Sequence, residues 1–258
     1  MMYSFKNDYS EGAHPDILAA LVRTNLDQQD GYGEDAFSLQ AAELIKQKIG
    51  REDIDVHFLT GGTQTNLTAI SAFLRPHEAA ISANTGHVLV HETGAIEATG
   101  HKVISVDSSN GKLTAEQVRV VVTGHGDEHM VKPRLVYLSQ PTEVGTIYSR
   151  LEMEQINRVC RELGLWLFVD GARLGSALCA AGNDLTLPVL AELVDAFYIG
   201  GTKNGALLGE ALVIRAEGLK ADFRYHMKQK GALLAKGRLI GTQFLTLFSG
   251  DLYFELAR

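Results

Sequence analysis

The sequence predicts an α/β fold, a mostly parallel seven-stranded sheet with helices on both faces. Two observations point there. Seven short runs rich in Val, Ile and Leu alternate with longer stretches at helical spacing, the βαβα order that builds parallel sheets. The runs are apolar almost throughout, as strands covered on both faces require. They lie at 54–59, 79–83, 102–106, 134–138, 165–169, 196–199 and 211–214. Between them, 63–73, 114–122, 151–163 and 187–193 read as helices. In 151–163 the residues Leu151, Ile156, Val159, Cys160 and Leu163 keep helical spacing. Ahead of the first strand, 14–25 and 36–49 read as two helices joined by a turn-rich segment from Asp27 to Glu34. After Arg215, 228–258 reads as mostly helical.

Composition narrows the function classes. A chain of 258 residues, 45% hydrophobic and 21% charged, is neither disordered nor collagen-like nor a disulfide scaffold. Its length suits one large domain, or one plus a fragment. Acidic residues outnumber basic ones, 31 to 24, for a net charge of −7. That balance argues against a general affinity for nucleic acid or an anionic membrane. Cys160 and Cys179 sit in apolar stretches and read as buried free thiols. No apolar run reaches the ~18 residues of a membrane span, and the N-terminus lacks the apolar core of a leader. A cytoplasmic enzyme is the expectation.

Ligand sites in parallel sheets form at the carboxyl ends of strands, and the unusual residues fall there. After the first strand comes Thr60-Gly61-Gly62-Thr63-Gln64-Thr65-Asn66. Two glycines open a helix whose free amides and dipole suit an anion. The segment is neither a P-loop nor a dinucleotide fingerprint. The fifth strand ends on Asp170-Gly171-Ala172-Arg173. A buried carboxylate needs a partner, supplied by Arg173, by a helix cap or by the protonated nitrogen of a heterocyclic cofactor. After the sixth strand comes Gly201-Thr202-Lys203-Asn204-Gly205. A lysine at the mouth of an apolar pocket loses solvation and becomes a usable nucleophile. The strands ending near Asp170 and Lys203 are expected to be neighbours. Anion cradle, carboxylate and lysine together describe a pyridoxal 5′-phosphate site. In Gly86-His87-Val88-Leu89-Val90-His91-Glu92, His87 is expected to lie flat on the cofactor ring. His91 is expected to serve its own loop or a neighbouring subunit.

This ordered set resembles the L-threonine aldolase branch of the β-eliminating lyases, within the aspartate-aminotransferase-like (fold type I) enzymes that use pyridoxal phosphate. The resemblance runs from Asn7-Asp8 through Gly31-Tyr32-Gly33-Glu34-Asp35 and the segments above to Thr202-Lys203, nearly the whole chain. It implies that Lys203 binds the cofactor aldehyde covalently, with Thr202 beside it, and that Asp170 pairs with the ring nitrogen. It implies further that His87 stacks on the ring, that Gly62 and Thr63 hold the phosphate, and that Arg173 helps bind the substrate carboxylate. Lys236, or else Arg238 or Lys230, would approach the phosphate of a neighbouring subunit. The implied unit is a homodimer or homotetramer with shared active sites and no metal.

Two positions depart from the family pattern. Glu143, in Pro141-Thr142-Glu143-Val144-Gly145, stands where many relatives carry a histidine, so His87, Glu143 or a water is left as base. Asn7 stands where a serine often approaches the substrate carboxylate. The implied reaction is cleavage of L-threonine, L-allo-threonine and related 3-hydroxy-α-amino acids to glycine and an aldehyde. The alternatives are a β-eliminating or cysteine-desulfurase-like lyase, or a phosphate-binding module without catalysis.

The implied domains are an N-terminal segment (1–34), a cofactor-binding large domain (35–227) and a helical connection (228–258). The family continues into a small C-terminal domain that adds another arginine. A truncated chain that binds the cofactor but handles amino acids poorly is the expectation.

Overall fold

The computed structural model describes residues 4–258. Its elements follow the expected alternation. Two helices lead, α1 (Pro15–Thr24) and α2 (Ala36–Ile49), followed by β1 (Asp55–Leu59), α3 (Gly62–Phe73), β2 (Glu78–Ala83) and α4 (His87–Val90). Next come β3 (Val103–Val106), α5 (Ala115–Thr123), β4 (Lys132–Ser139), α6 (Arg150–Leu163), β5 (Trp166–Asp170) and α7 (Leu174–Cys179). The chain then runs through α8 (Leu187–Leu193), β6 (Ala196–Gly200), β7 (Glu210–Ile214), α9 (Phe223–Gln229), α10 (Arg238–Phe248) and α11 (Leu252–Ala257).

Local chemistry sets many of these boundaries. Asp35 caps α2 by accepting the amide of Ser38 at 2.8 Å. Thr114 with Gln117, and Ser149 with Glu152, form reciprocal capping boxes at the starts of α5 and α6. The short helices α4 and α7 were not anticipated, since four and six residues are too few to display a helical period.

The sheet order is β1-β7-β6-β5-β4-β2-β3. All pairings are parallel except those of β7, which runs antiparallel to both β1 and β6. The parallel strands connect through helices. The antiparallel pair β6–β7 needs none, so residues 201–209 form a tight return bearing Lys203.

The continuous apolar character of the strands has a direct cause. Successive side chains point to opposite faces, and both faces carry a core. Val136, Leu138, Leu167, Val169, Phe197 and Ile199 pack on one side with residues of α1, α2, α6, α8 and α10. Leu135, Tyr137, Phe168, Ala196 and Tyr198 pack on the other with residues of α3 and α9. Cys160 is buried as expected; Cys179 is only partly buried, its thiol near the carbonyl of Phe254. Among the described residues no helix is long and apolar enough to cross a membrane.

Candidate active site

The carboxyl ends of β1, β4, β5 and β6 converge on a cavity of about 340 Å³, within the ~300–1,000 Å³ range of small-molecule sites. Its wall includes Gly62, Thr63, His87, Glu143, Asp170, Arg173, Thr202 and Lys203. Eight of the sequence-predicted residues therefore share one space.

Two glycines hold the ends of β5 and β6 together. The amide of Gly200 donates to the carbonyl of Gly171 at 2.9 Å. A Cβ at Gly171 would sit 1.8 Å from the carbonyl oxygen of Tyr198, and one at Gly200 would sit 2.2 Å from that of Ala172. No side chain fits at either position. This contact brings the loops carrying Asp170 and Lys203 side by side.

Asp170 is buried and fully partnered. Its Oδ2 accepts from the hydroxyl of Tyr137 at 2.6 Å and the amide nitrogen of Asn66 at 3.0 Å; its Oδ1 accepts the backbone N–H of Ala172 at 3.0 Å. Burial raises the pKa of Tyr137 and of Tyr198, with the charge of Asp170 adding to it, so both phenols stay protonated. The expected alternative pair with Arg173 does not form. Arg173 instead grips Asp8 through Nε and Nη2. That grip lowers the pKa of Asp8 despite the opposing effect of burial.

Lys203 is half-buried, and burial, reinforced by Arg173, lowers its pKa. Its Nζ lies 5.9 Å from the ring centre of Tyr9. The return that carries it is braced from beneath. Glu210 accepts from the hydroxyl of Thr202 at 2.9 Å and the amide of Gly201 at 3.2 Å. Burial pushes the Glu210 carboxyl up to about 8. Tyr253 of α11 adds a second brace, its hydroxyl donating to the carbonyl of Gly200 at 3.1 Å and its own carbonyl accepting from Asn204 at 2.7 Å.

The opposite end of the cavity begins at α3. Its N-cap is Gly61, which has no side chain to satisfy the first-turn amides. Gly62 fits because a Cβ there would press on the Tyr198 hydroxyl at 3.1 Å. An uncapped twelve-residue helix, a partnered carboxylate and an amine of lowered pKa along one cavity fit the phosphate, ring nitrogen and aldehyde of pyridoxal phosphate.

Glu143 hangs over this space. Its Oε1 accepts from the hydroxyl of Ser139 at 2.6 Å and the backbone amide of His87 at 2.8 Å. His87 pairs with Glu92 at 2.8 Å. His91, expected to serve its own loop or a neighbouring subunit, lines the cavity with its ring 5.5 Å from that of His87 in its own segment.

Two predicted residues lie elsewhere. The side chain of Asn7 accepts from the Tyr9 amide at 3.0 Å and the Ser10 hydroxyl at 2.8 Å, in a neighbouring cleft. Lys236 is exposed in the turn before α10, off the cavity wall. Arg238 is tied to the carbonyls of Thr24 and Asp27. Sequence reading missed Asp8, Asn66, Tyr137, Tyr198, Glu92, Glu210 and Tyr253. Only Asp8, Asn66 and Glu92 carried a signal, as neighbours in quoted motifs without assigned roles.

The sequence model described as beta-eliminating lyase matches residues 8–247. The low-specificity L-threonine aldolase of Pseudomonas aeruginosa is 34% identical over 98% of this chain and 73% of its own length. A structure of Leishmania major threonine aldolase superimposes with a TM-score of 0.98 at 52% identity, covering 99% of this chain and 75% of that one. Aspartate aminotransferase from Thermus thermophilus, at 16% identity, shares the fold with a TM-score of 0.76 over 96% of this chain and 66% of that one.

Proposed function

The chain belongs to the beta-eliminating lyase family, and from that premise we propose that it cleaves L-threonine and related 3-hydroxy-α-amino acids to glycine and an aldehyde. The observation that carries this reading is the pairing of a buried, triply hydrogen-bonded Asp170 with Lys203 on one cavity wall.

Pyridoxal phosphate, when bound, supplies an aldehyde for the amino group and a protonated ring that accepts the electrons released as Cα–Cβ breaks. The chain's residues do the rest. Lys203 carries the aldehyde, and its lowered pKa keeps a larger share of the amine unprotonated at neutral pH. Asp170 holds the proton on the ring nitrogen, with Tyr137 and Asn66 fixing its orientation. Gly62 and Thr63 present first-turn amides to the phosphate. Arg173 takes the substrate carboxylate, with Asp8 held against it until substrate arrives. Asn7 supports this segment from the adjacent cleft.

Glu143 takes the proton of the β-hydroxyl. Its Oε1 is held by Ser139 and the His87 amide, which leaves Oε2 for the substrate. His87 covers the ring. The proposed unit is a cytoplasmic homodimer or homotetramer in which exposed Lys236 serves a neighbouring subunit's phosphate.

The test is a spectrum followed by an aldehyde-coupled assay. The purified chain should be yellow with pyridoxal phosphate, and borohydride should bleach it and add mass at Lys203. Lys203→Ala should lose both the colour and aldehyde release. A fully active Lys203→Ala variant would refute the reading. Release of pyruvate or sulfide in place of aldehyde would favour a different lyase.

A further inference from the structure

Glu92 has no role in the scheme above, yet its side chain is 0% exposed and its partners are specific. Its Oε1 meets Nδ1 of His87 at 2.8 Å and Nδ2 of Asn66 at 2.7 Å. The same Asn66 nitrogen reaches Oδ2 of Asp170 at 3.0 Å. One amide thus gives an N–H to each of two carboxylates. The remaining oxygens, Oε2 of Glu92 and Oδ1 of Asn66, are buried without partners among the described residues.

A buried carboxylate needs compensating charge, and of the two side chains hydrogen-bonded to Glu92 only His87 can carry it. An ionised carboxylate is acceptor-only, so the imidazole must donate from Nδ1. We infer that Glu92 is a positioning residue: it fixes a proton on Nδ1 of His87, leaves Nε2 as the nitrogen that works in the cavity, and ties that ring through Asn66 to Asp170. The inference rests on the aldolase reading, in which His87 covers the cofactor ring.

The surroundings of His87 agree. Glu92 and His91 face it from its own segment, Asp170 from the end of β5, Glu143 from the loop after β4 and Lys203 from the β6–β7 return. The Glu92 hydrogen bond raises the pKa of His87, and Asp170 adds to this; burial and Lys203 oppose it. His87 therefore keeps its second proton to higher pH than a free imidazole. Below that point Nε2 donates to a ligand oxygen, and above it Nε2 accepts. Removing the charge of Glu92 must move this changeover to lower pH.

The experiment is nitrogen NMR of the histidine-labelled full chain loaded with pyridoxal phosphate, with His87→Phe to assign the signal. In the wild type, neutral His87 should carry its proton on Nδ1. Glu92→Gln should lower the midpoint of the His87 titration, while the variant's amide oxygen, still facing the Asn66 N–H, keeps accepting from Nδ1. It should also lower kcat, on the scale of the about 10- to 100-fold loss typical when the partner orienting a metal-bound histidine is removed. Glu92→Asp should recover part of both effects. A wild-type His87 protonated on Nε2 when neutral overturns the inference, as does a Glu92→Gln titration like the wild type. Should Glu92→Gln not fold, the wild-type tautomer decides alone. A chain that releases no aldehyde yet holds the proton on Nδ1 refutes the aldolase reading and keeps the assignment of Glu92.

Discussion

The braced carboxyl of Glu210 makes a quantitative claim. It is 3% exposed, and burial, with the charge of Asp170 adding to it, raises its pKa from 4.5 to about 8. Between those values the unfolded chain is ionised at this position while the folded chain keeps the proton. Stability therefore falls as pH rises, by about 1.4 kcal/mol per unit. The loss begins near pH 4.5, is complete above about 8 and totals about 5 kcal/mol.

Glu210→Gln imitates the protonated acid, offering one acceptor and one donor to the same loop. Below pH 4.5 the two proteins should differ only by the pH-independent effect of the substitution. By pH 9 the variant should have gained several kcal/mol relative to wild type. The assay is urea denaturation of cofactor-free protein at fixed chain concentration from pH 4 to 9. A difference between the two proteins that does not change with pH would refute the reasoning, because Glu210 would then be ionised in the folded state throughout.

Other outcomes follow from single contacts. Gly171→Ala should cost about 3 kcal/mol or more, measured by denaturation, because a methyl group cannot lie 1.8 Å from the Tyr198 carbonyl oxygen. It should also lose the cofactor colour at concentrations that saturate the wild type. Arg173→Ala should raise KM by about 10- to 100-fold, the loss of a hydrogen bond to a charged group, with kcat changed less. A larger effect on kcat than on KM would remove Arg173 from ground-state carboxylate binding.

Much of this molecule was readable in one dimension. The seven strands formed close to the predicted bounds because both sheet faces carry a core, which favours apolar residues at most positions of the central strands. Helix starts were carried by local capping chemistry, as at Ser149 and Glu152. The principal site residues stood out because polar groups at strand ends interrupt these runs. Gly62, Asp170 and Lys203 each stand within a few residues of the end of an apolar run, and parallel topology gathers such ends along one edge.

The partners of those residues were not readable. Asn66 reaches Asp170 across 104 positions, Asp8 reaches Arg173 across 165, and Tyr253 reaches Gly200 across 53. No spacing encodes such pairs, because they depend on strand order and on the reversed direction of β7. Lys236, which the resemblance assigns to a neighbouring subunit's phosphate, is exposed and lies off the wall of its own chain's cavity. The sequence by itself determined which groups could do the chemistry, since burial patterns and capping act between near neighbours. Only the tertiary structure decided how those groups are held, charged and aimed, since hydrogen bonds and desolvation act through space.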